Sequence, residues 1–254
     1  MEKSLEIVQF GLEKLVGIKC ATKLIQTNLT DLDCLKLLIS KALGVGILLG
    51  GVFLKLPQIA KIITAGSVKG ISLPSYLLET MAFTIGLAYN VRQANPFSTY
   101  GEGVFITIQN VIILALILYY GGSKLGLVIF LLGYSALAWS LFDVAIISKD
   151  LLLFLQGTTI FIGVASRLPQ IFSIFKSKTT GQLSAITIFL QFIGSAARIY
   201  TTLQEVNDKV ILAGFLISTF LNGVLAYQMV VYGWGSNQAS TISAKNRKEI
   251  KKVQ

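Results

Sequence analysis

Five runs of the sequence contain no charged residue and approach or exceed the length that a membrane-spanning helix needs, about 18 to 20 apolar residues. Two shorter apolar runs, 42–54 and 80–91, continue into further apolar residues beyond a single ionisable group, Lys55 in one case and Glu79 in the other. The mean hydropathy of +0.71 is too high for an ordinary soluble domain of this length. The sequence therefore predicts a membrane protein with seven spans. The five longer runs cover residues 103–123, 125–142, 151–166, 179–197 and 210–244.

All seven spans are predicted to be helices. Lipid offers the backbone no hydrogen-bond partner, and the segments lack the alternating pattern of a membrane barrel. Short polar connections with turn-forming residues separate them. The predicted spans are residues 37–63, 73–92, 101–121, 124–147, 150–176, 183–204 and 209–232.

Lysine and arginine are distributed unevenly between the two sides of these spans. If the C-terminus is cytosolic, the opposite short loops keep only Arg92, Lys149 and Lys209, and most other loop cations face the cytosol. This bias follows the positive-inside rule, so residues 1–36 are expected to lie outside or in a lumen. Because the 22 basic residues are dispersed along the chain, the net charge of +10 does not indicate a nucleic-acid partner.

The N-terminal segment carries apolar residues at helical spacing between charges, which predicts an amphipathic helix at the membrane surface. Charged residues interrupt its apolar core, so it is not expected to be a secretory signal peptide. Cys20 and Cys34 can form a disulfide in an oxidising compartment or remain thiols. Asn28 begins an Asn-Leu-Thr acceptor sequence for N-glycosylation.

The sequence KLPQI at residues 55–59 recurs as RLPQI at residues 167–171, so a shift that lays Arg167 on Lys55 overlays the two copies. The same shift overlays three apolar spans on three others, which indicates an internal repeat. Two triplets of like orientation need one connecting span, and such parallel repeats are one plan of membrane transporters. The predicted divisions are an N-terminal segment at 1–36, a first repeat at 37–121, a linker helix at 122–148, a second repeat at 149–232 and a basic tail at 233–254.

Each copy of the motif contains a proline inside an apolar span. Pro57 and Pro169 each remove one backbone hydrogen bond, so both helices are expected to kink. Gln58 and Gln170 can hydrogen-bond the freed carbonyls or each other. The paired kinks are interpreted as hinges for alternating access or as fixed bends, with static packing as the simpler alternative.

Each motif also contains a cation, which costs about 2.5–3.5 kcal/mol inside a span on insertion scales. Lys55 and Arg167 are both expected one helical turn before the cytosolic end of their helices. Snorkelling toward that surface is the favoured interpretation for Lys55. The guanidinium fork of Arg167 suits phosphate, so this residue is a candidate phosphate contact.

Three further ionisable groups lie in or near the predicted spans. Glu79 and Arg198 occupy equivalent second helices of the two triplets, and an ion pair between them is predicted. Asp143 is expected near the lumenal end of the fourth span, where an interfacial position makes it a weak candidate for an intramembrane acid. Asn110 and Asn222 can provide interhelical hydrogen bonds or line a cavity.

Several chemistries find no support in the sequence. It contains no histidine, no cysteine cluster, no nucleophile placed with a base, no glycine-rich phosphate loop and no paired-carboxylate motif. Metal binding, a cofactor and covalent catalysis are therefore not expected, and the protein is predicted not to be an enzyme.

The doubled Pro-Gln, followed by SVKGIS at residues 67–72 and KTTGQLS at residues 178–184, resembles the PQ-loop repeat family. That superfamily includes the SWEET sugar carriers, and its plan of three, one and three helices implies the same all-α fold as the seven predicted spans. The amino-acid sequence around both motifs is most similar to that of the mannose-P-dolichol utilization defect 1 protein family. The resemblance covers roughly residues 35–235.

This resemblance implies an endoplasmic reticulum protein required for lumenal use of dolichol-phosphate-mannose and dolichol-phosphate-glucose in N-glycan precursors and GPI anchors. Such a protein would translocate, present or chaperone the lipid-linked sugar among membrane lipids and lumenal glycosyltransferases. Its phosphate would be attracted to Lys55, Arg167 or Arg198. The alternatives are a small-solute transporter of an intracellular membrane, with Glu79 as a proton carrier, and a trafficking receptor or structural partner.

The chain ends in KKVQ, which places Lys251 and Lys252 at the positions of the dilysine retrieval signal of endoplasmic reticulum membrane proteins. Coat machinery reads such a signal only in the cytosol, where the charge bias places the tail. A solvated basic tail attracted to anionic lipid is the simpler alternative.

Overall fold

The computed structural model describes residues 9, 11, 13–25, 31–178, 185–206 and 208–253, and every regular element within these residues is helical. The side chains of residues 24, 185–186 and 233–253 lie outside this description. The prediction of an all-α membrane protein is confirmed. The helices are α1 (Ile18–Ile25), α2 (Leu32–Phe53), α3 (Leu56–Ala65), α4 (Leu73–Arg92), α5 (Phe97–Tyr120), α6 (Lys124–Phe142), α7 (Lys149–Ser177), α8 (Ala185–Glu205) and α9 (Lys209–Val253).

Five stretches of the described chain are long and apolar enough to cross a membrane, by length and composition. The predicted spans at 73–92 and 183–204 correspond to α4 and α8, which are not among the five. Both helices bury polar residues that lower their hydropathy, such as Thr80 and Thr84 in α4 and Arg198 in α8. The five stretches are Leu32–Ala65, Phe97–Tyr120, Lys124–Phe142, Lys149–Ser177 and Lys209–Tyr232.

The chain divides into two units, of which the first comprises residues 1–159 and 200–210. Within it, α5 packs against α2, α3, α4 and α6. The crossing of α2 and α5 depends on glycine: a Cβ at Gly44 would lie 3.1 Å from the Ser98 carbonyl oxygen, and one at Gly51 only 2.6 Å from Glu102 Cβ. Because small residues let two helix backbones approach closely, α5 becomes the central helix of this unit.

The second unit comprises residues 160–199 and 211–254. Its core joins α7, α8 and α9 through Ile174, Ile188, Leu225 and neighbouring apolar side chains. Three helices around one apolar cluster are what a predicted triplet requires. The boundaries of these two units differ from those of the predicted repeats, 37–121 and 149–232. The predicted division of the chain into repeats therefore stays a prediction.

The N-terminal segment is tied to the start of α2. Cys20 and Cys34 are joined in a disulfide, the first of the two alternatives allowed by the sequence. The Lys23 ammonium lies 2.5 Å from the Asp31 carboxylate, which also accepts a hydrogen bond from the Cys34 amide and so caps α2. The hydrogen bond from Lys23 lowers the pKa of Asp31 and raises that of Lys23. Asn28 lies outside the described residues.

Candidate functional site

The first Pro-Gln motif lies at a break between α2 and α3. In an unbroken helix the Lys55 amide would donate to the Gly51 carbonyl, four residues earlier. Here the side chain of Gln109, on α5, stands between them: its Oε1 accepts from Lys55 N–H at 2.8 Å, and its Nε2 donates to Gly51 O at 2.8 Å. A side chain inserted into the helical hydrogen bonds is a recognised cause of a kink. The break therefore depends on a residue from another helix.

Pro57 lies at this break in a position where a proline costs no helical hydrogen bond. It occupies the first turn of α3, where a backbone N–H would have no helical partner in any case. The amide that satisfies the freed backbone groups is that of Gln109, not that of Gln58 as expected. Gln58 instead interacts with the Tyr76 hydroxyl.

The cation of the first motif is neutralised. Lys55 Nζ lies 3.0 Å from both carboxylate oxygens of Glu79 and 5.0 Å from the ring centroid of Tyr76. The Lys55 side chain is 17% exposed. Snorkelling was therefore the wrong interpretation, since the ammonium finds a carboxylate within the protein at a lower cost than reaching the surface. Glu79 therefore pairs with Lys55, whereas Arg198 was the predicted partner. A contact between Glu79 and Arg198 would join the two units and stays a prediction.

The second motif lies inside a continuous helix. Pro169 is an interior residue of α7, which runs without interruption from Lys149 to Ser177. The alignment of the two motifs places Leu221 at the position of Gln109, so the second repeat has no amide there to insert into the backbone. Only the first motif breaks its helix, and the predicted kink at Pro169 stays a prediction.

Both cations lie deeper in their helices than predicted. Ten residues separate Lys55 from Ala65, the last residue of α3, and ten separate Arg167 from Ser177, the last of α7. At 1.5 Å per residue this is about 15 Å, or nearly three turns instead of one. The predicted spans end at residues 63 and 176, within two residues of these helix ends, so the error was in the number of turns counted from each cation to the end of its span.

Neutral groups surround the second cation. Arg167 Nε donates to Asn222 Oδ1 at 2.8 Å, and its Nη1 lies 3.5 Å from the Gly163 carbonyl oxygen. Asn222 is held in turn, because its amide nitrogen donates to the Gln191 carbonyl and the Ser195 hydroxyl, both at 3.2 Å. Asn222 is 2% exposed. This network fixes the guanidinium in position without contributing any negative charge.

The repeat alignment shows how the second motif lost its counter-ion. Glu79 corresponds to Gln191, and Tyr76 corresponds to Ile188, which is buried in the apolar core of the second unit. Within the described part of the chain, no carboxylate pairs with Arg167. The positive charge of Arg167 is therefore available to an external anion, whereas that of Lys55 is not.

The remaining predicted residues are dispersed. Arg198 is buried at 3% exposure and has a partner of its own, which makes it a poorer ligand cation than Arg167. Gln170 is half-buried in α7. Asp143 follows the last residue of α6 and accepts a hydrogen bond from the Ala145 amide at 2.8 Å. It is a turn residue outside the helix, so α6 ends five residues earlier than the predicted 147, and the role of intramembrane acid is not supported.

The retrieval signal and metal binding are the last two predicted points. Lys251 and Lys252 lie in α9, but their side chains fall outside the description, so the retrieval signal stays a prediction. Among the described residues, no group of three or more metal-ligating side chains is found.

The sequence reasoning missed a buried polar cluster in the first unit. The Glu205 carboxylate, 2% exposed, accepts hydrogen bonds from Ser40 and Ser98 at 2.6 Å and from Lys41 at 2.5 Å. Lys41 was a usable signal, because it is a cation inside the predicted span 37–63. Glu205 gave none, since its position after the sixth span suggested an ordinary turn residue.

Comparison with known proteins identifies the repeated unit. The sequence pattern described as the PQ loop repeat matches residues 39–99 and residues 151–211, and the same shift that overlays the two motifs overlays these two segments. The human protein named solute carrier family 66 member 3 is 35% identical to the chain over 169 residues, which is 66% of this chain and 82% of that relative. The matched segments contain both Pro-Gln motifs and both cations.

Proposed function

Because the chain belongs to the PQ-loop repeat family of membrane proteins, we propose that it binds and moves an anionic lipid-linked sugar through its second repeat. The specific proposal is an endoplasmic reticulum factor required for use of dolichol-phosphate-mannose and dolichol-phosphate-glucose in lumenal glycosylation. One observation carries it: Arg167 keeps an uncompensated charge inside a span, whereas the equivalent Lys55 is paired with Glu79. Phosphate is the anionic group that both of these lipid-linked sugar donors contain.

The chemistry of arginine favours phosphate as the ligand. A guanidinium presents donors in a planar fork that matches two phosphate oxygens, and it stays charged even when buried. Asn222 engages Nε and the Gly163 carbonyl oxygen engages Nη1 at 3.5 Å, so Nη2 and the second Nη1 hydrogen provide the remaining donors. An unpaired cation costs about 2.5–3.5 kcal/mol in a span on insertion scales, and an anionic substrate would offset that cost while it is bound.

The depth of Arg167 favours translocation over presentation or chaperoning. Arg167 lies about 15 Å before the end of α7 and about 27 Å after its start, so it is an interior residue of this 29-residue helix. A donor that is only presented to a transferase keeps its phosphate among the lipid headgroups. A phosphate that reaches Arg167 has left that layer, as one that crosses the membrane must.

Two features support the proposed location. A disulfide such as Cys20–Cys34 forms in oxidising compartments, which agrees with a lumenal N-terminal segment. The terminal Lys251 and Lys252 agree with cytosolic retrieval by coat machinery. In this arrangement lumenal glycosyltransferases receive the donor on the side of the disulfide.

The proposal is tested in cells that lack the protein. We expect truncated lipid-linked oligosaccharides although dolichol-phosphate-mannose is still made at the normal rate. Re-expression of the wild-type chain should restore the full-length profile, and Arg167→Gln should not. Lys61→Gln is the matched control, because Lys61 is an exposed cation of the first repeat. Full rescue by Arg167→Gln at normal expression would eliminate the proposed site.

A second candidate function is transport of a small solute across an intracellular membrane. The observation that favours it is the 35% identity to a human protein whose name is that of a solute carrier. Purified protein in liposomes should then accelerate uptake of a labelled sugar or amino acid, and uptake should not require a polyprenyl phosphate. Uptake in liposomes combined with a normal oligosaccharide profile in cells would establish this function in place of the first.

A further inference from the structure

The helices that hold Arg167 supply no acid. Residues 160–199 and 211–232 of the second unit include no aspartate or glutamate, and the second of these ranges has no lysine or arginine either. The groups that hold the Arg167–Asn222 pair in place are carbonyl oxygens and the Ser195 hydroxyl, all of them neutral. Within the described residues of this unit, the guanidinium is therefore surrounded by dipoles and not by counter-charges.

The other cations of this unit lie farther along the helix or are engaged elsewhere. Lys176 follows Arg167 by nine residues, which is about 14 Å along α7. Lys178 lies past the end of that helix and donates to the Tyr232 hydroxyl at 3.0 Å. Arg198, on α8, is buried at 3% exposure and has a partner of its own. A phosphate that binds Arg167 therefore makes direct contact with a single positive charge.

Phosphate esters differ in the charge that they bring to such a site. A lipid-linked sugar is a phosphodiester, whose single ionisable oxygen gives it one negative charge across the physiological pH range. The bare polyprenyl phosphate is a monoester, which loses a second proton with a pKa of about 6 and is largely a dianion at neutral pH. One guanidinium neutralises the diester completely. It leaves the dianion with one negative charge inside the span, where an unpaired charge is costly.

We infer that the Arg167 site selects lipids whose phosphate is a monoanionic diester, and so takes the sugar-loaded donor in preference to the bare polyprenyl phosphate. The inference rests on the proposed function, whose substrate it narrows to the loaded form. A carrier with this preference is not blocked by the bare lipid that sugar transfer leaves behind.

Gln191 is the residue that keeps the charge of the site at one. It corresponds to Glu79, whose carboxylate reaches Lys55 Nζ at 3.0 Å in the first repeat. Its backbone carbonyl accepts from Asn222, which also binds Arg167, and its side chain is exposed and uncharged. A cation at this position would complement a second negative charge on the phosphate.

The test measures binding of two probes to the purified full-length protein in phosphatidylcholine nanodiscs, from mildly acidic to mildly alkaline pH. The probes are polyprenyl phosphate and polyprenyl-phosphate-mannose with the same chain. The bare probe must take up a proton to match a single guanidinium, so its affinity should fall about tenfold per pH unit above about pH 6. The loaded probe should have a flat profile. A flat profile for the bare probe as well would overturn the inference.

Two variants at one position sharpen the test. Gln191→Lys adds a second cation and should remove most of the pH dependence of the bare probe, which then binds as a dianion. Gln191→Leu is the matched neutral control and should retain the wild-type dependence. A dependence that is unchanged in Gln191→Lys would overturn the role of this residue. If that variant does not fold, the wild-type profiles of the two probes still decide the selectivity.

Arg167→Gln separates failure of this inference from failure of the proposed function. If it weakens both probes while their wild-type affinities are equal at every pH, the phosphate site stands and the selectivity is overturned. If it weakens neither probe, the phosphate site itself is wrong. Phosphatidylglycerol, a monoanionic diester without a polyprenyl chain, is the competitor that identifies the source of the ligand. Displacement of the loaded probe by an equal amount of it would overturn the assignment to a sugar donor and support an ordinary phospholipid.

Discussion

The two Pro-Gln motifs share a sequence and differ in nearly everything around it. In the first repeat Gln109 breaks the helix and Glu79 neutralises the cation. In the second repeat the helix continues past its proline, and Asn222 orients a cation that keeps its charge. The comparison teaches that the motif does not determine its own role. Residues on the other two helices of each triplet decide whether the cation of the motif is neutralised by a carboxylate or held by neutral groups.

The largest effect is expected from removing the counter-ion of the first motif. Glu79→Gln leaves the Lys55 ammonium without a carboxylate and should lower the free energy of unfolding by about 2 kcal/mol. This is less than the roughly 3–5 kcal/mol of a fully buried pair, because Glu79 is 35% exposed. Thermal unfolding in detergent micelles measures the change.

The equivalent change in the second repeat is its control. Gln191→Leu should leave stability within about 0.5 kcal/mol, because Asn222 bonds the backbone carbonyl of Gln191 and that position is exposed. Joint replacement of Lys55 by Met and Glu79 by Leu should recover most of the lost stability. Equal stability of Glu79→Gln and wild type would show that the ion pair has no structural role.

Converting the second motif to the first is expected to act on binding instead of stability. Gln191→Glu gives Arg167 the counter-ion that Lys55 already has. A competing carboxylate should weaken polyprenyl phosphate binding about tenfold, or about 1.4 kcal/mol. Binding in nanodiscs is the measurement, with Gln191→Leu as the uncharged control. Undiminished binding by the Glu variant would mean that the two repeats do not place this position alike.

A third change addresses the break in the first helix. Gln109→Leu copies Leu221 of the second repeat and should lower the free energy of unfolding by only about 1 kcal/mol. The loss is small because the Gly51 carbonyl and Lys55 amide can pair with each other once the inserted side chain is gone. Spin labels at positions 45 and 63, both exposed, would report the accompanying straightening as a change in distance. An unchanged distance would assign the break to Pro57.

The smallest effect concerns the N-terminal segment, which has no counterpart in the second repeat. The pKa of Asp31 is lowered in the folded protein, so its contribution is complete above the unfolded pKa and disappears as pH falls through the lower folded value. The pKa of Lys23 is raised, so its contribution persists at neutral pH and disappears only as pH rises through the raised value.

Asp31→Asn should therefore abolish the acid dependence at the start of α2. Hydrogen exchange of the Cys34 amide, measured from neutral to strongly acidic pH, is the readout, because Asp31 accepts from that amide. Wild type should lose protection on acidification, and the variant should have weaker protection that does not change with pH. Identical profiles would show that the disulfide alone orders the segment.

Much of the fold was predictable because hydropathy is a local property. The predicted spans correspond to the helices of the described chain within a few residues at most ends, and the internal repeat recurs in the two matched family segments. The exceptions have physical causes. Asp143 ends α6 early by bonding the backbone of Ala145, and Gln109 divides the first span in two.

The site was predictable only in its list of residues. Arg167 stood out as a cation in a span, but its partner Asn222 lies 55 residues away, and nothing local to either residue indicates the pairing. The asymmetry itself was present in the sequence, because the alignment sets Gln191 against Glu79 and Leu221 against Gln109. Its meaning required knowing that these positions face the motif, which only packing determines.

The inserted side chain of Gln109 has a consequence for biosynthesis. Ribosomes deliver the chain from the N-terminus, so Lys55 and its backbone amide enter the membrane before Glu79 and well before Gln109. During that interval the first span lacks the groups that will satisfy it, and in lipid such groups are costly to leave unpaired. We expect the nascent first span to remain near the translocon, or to hold a temporary straight form, until α5 arrives. In the second triplet the backbone of the motif has no such delay, because its helix is complete when Ser177 has been made, and only the Arg167 side chain waits for Asn222.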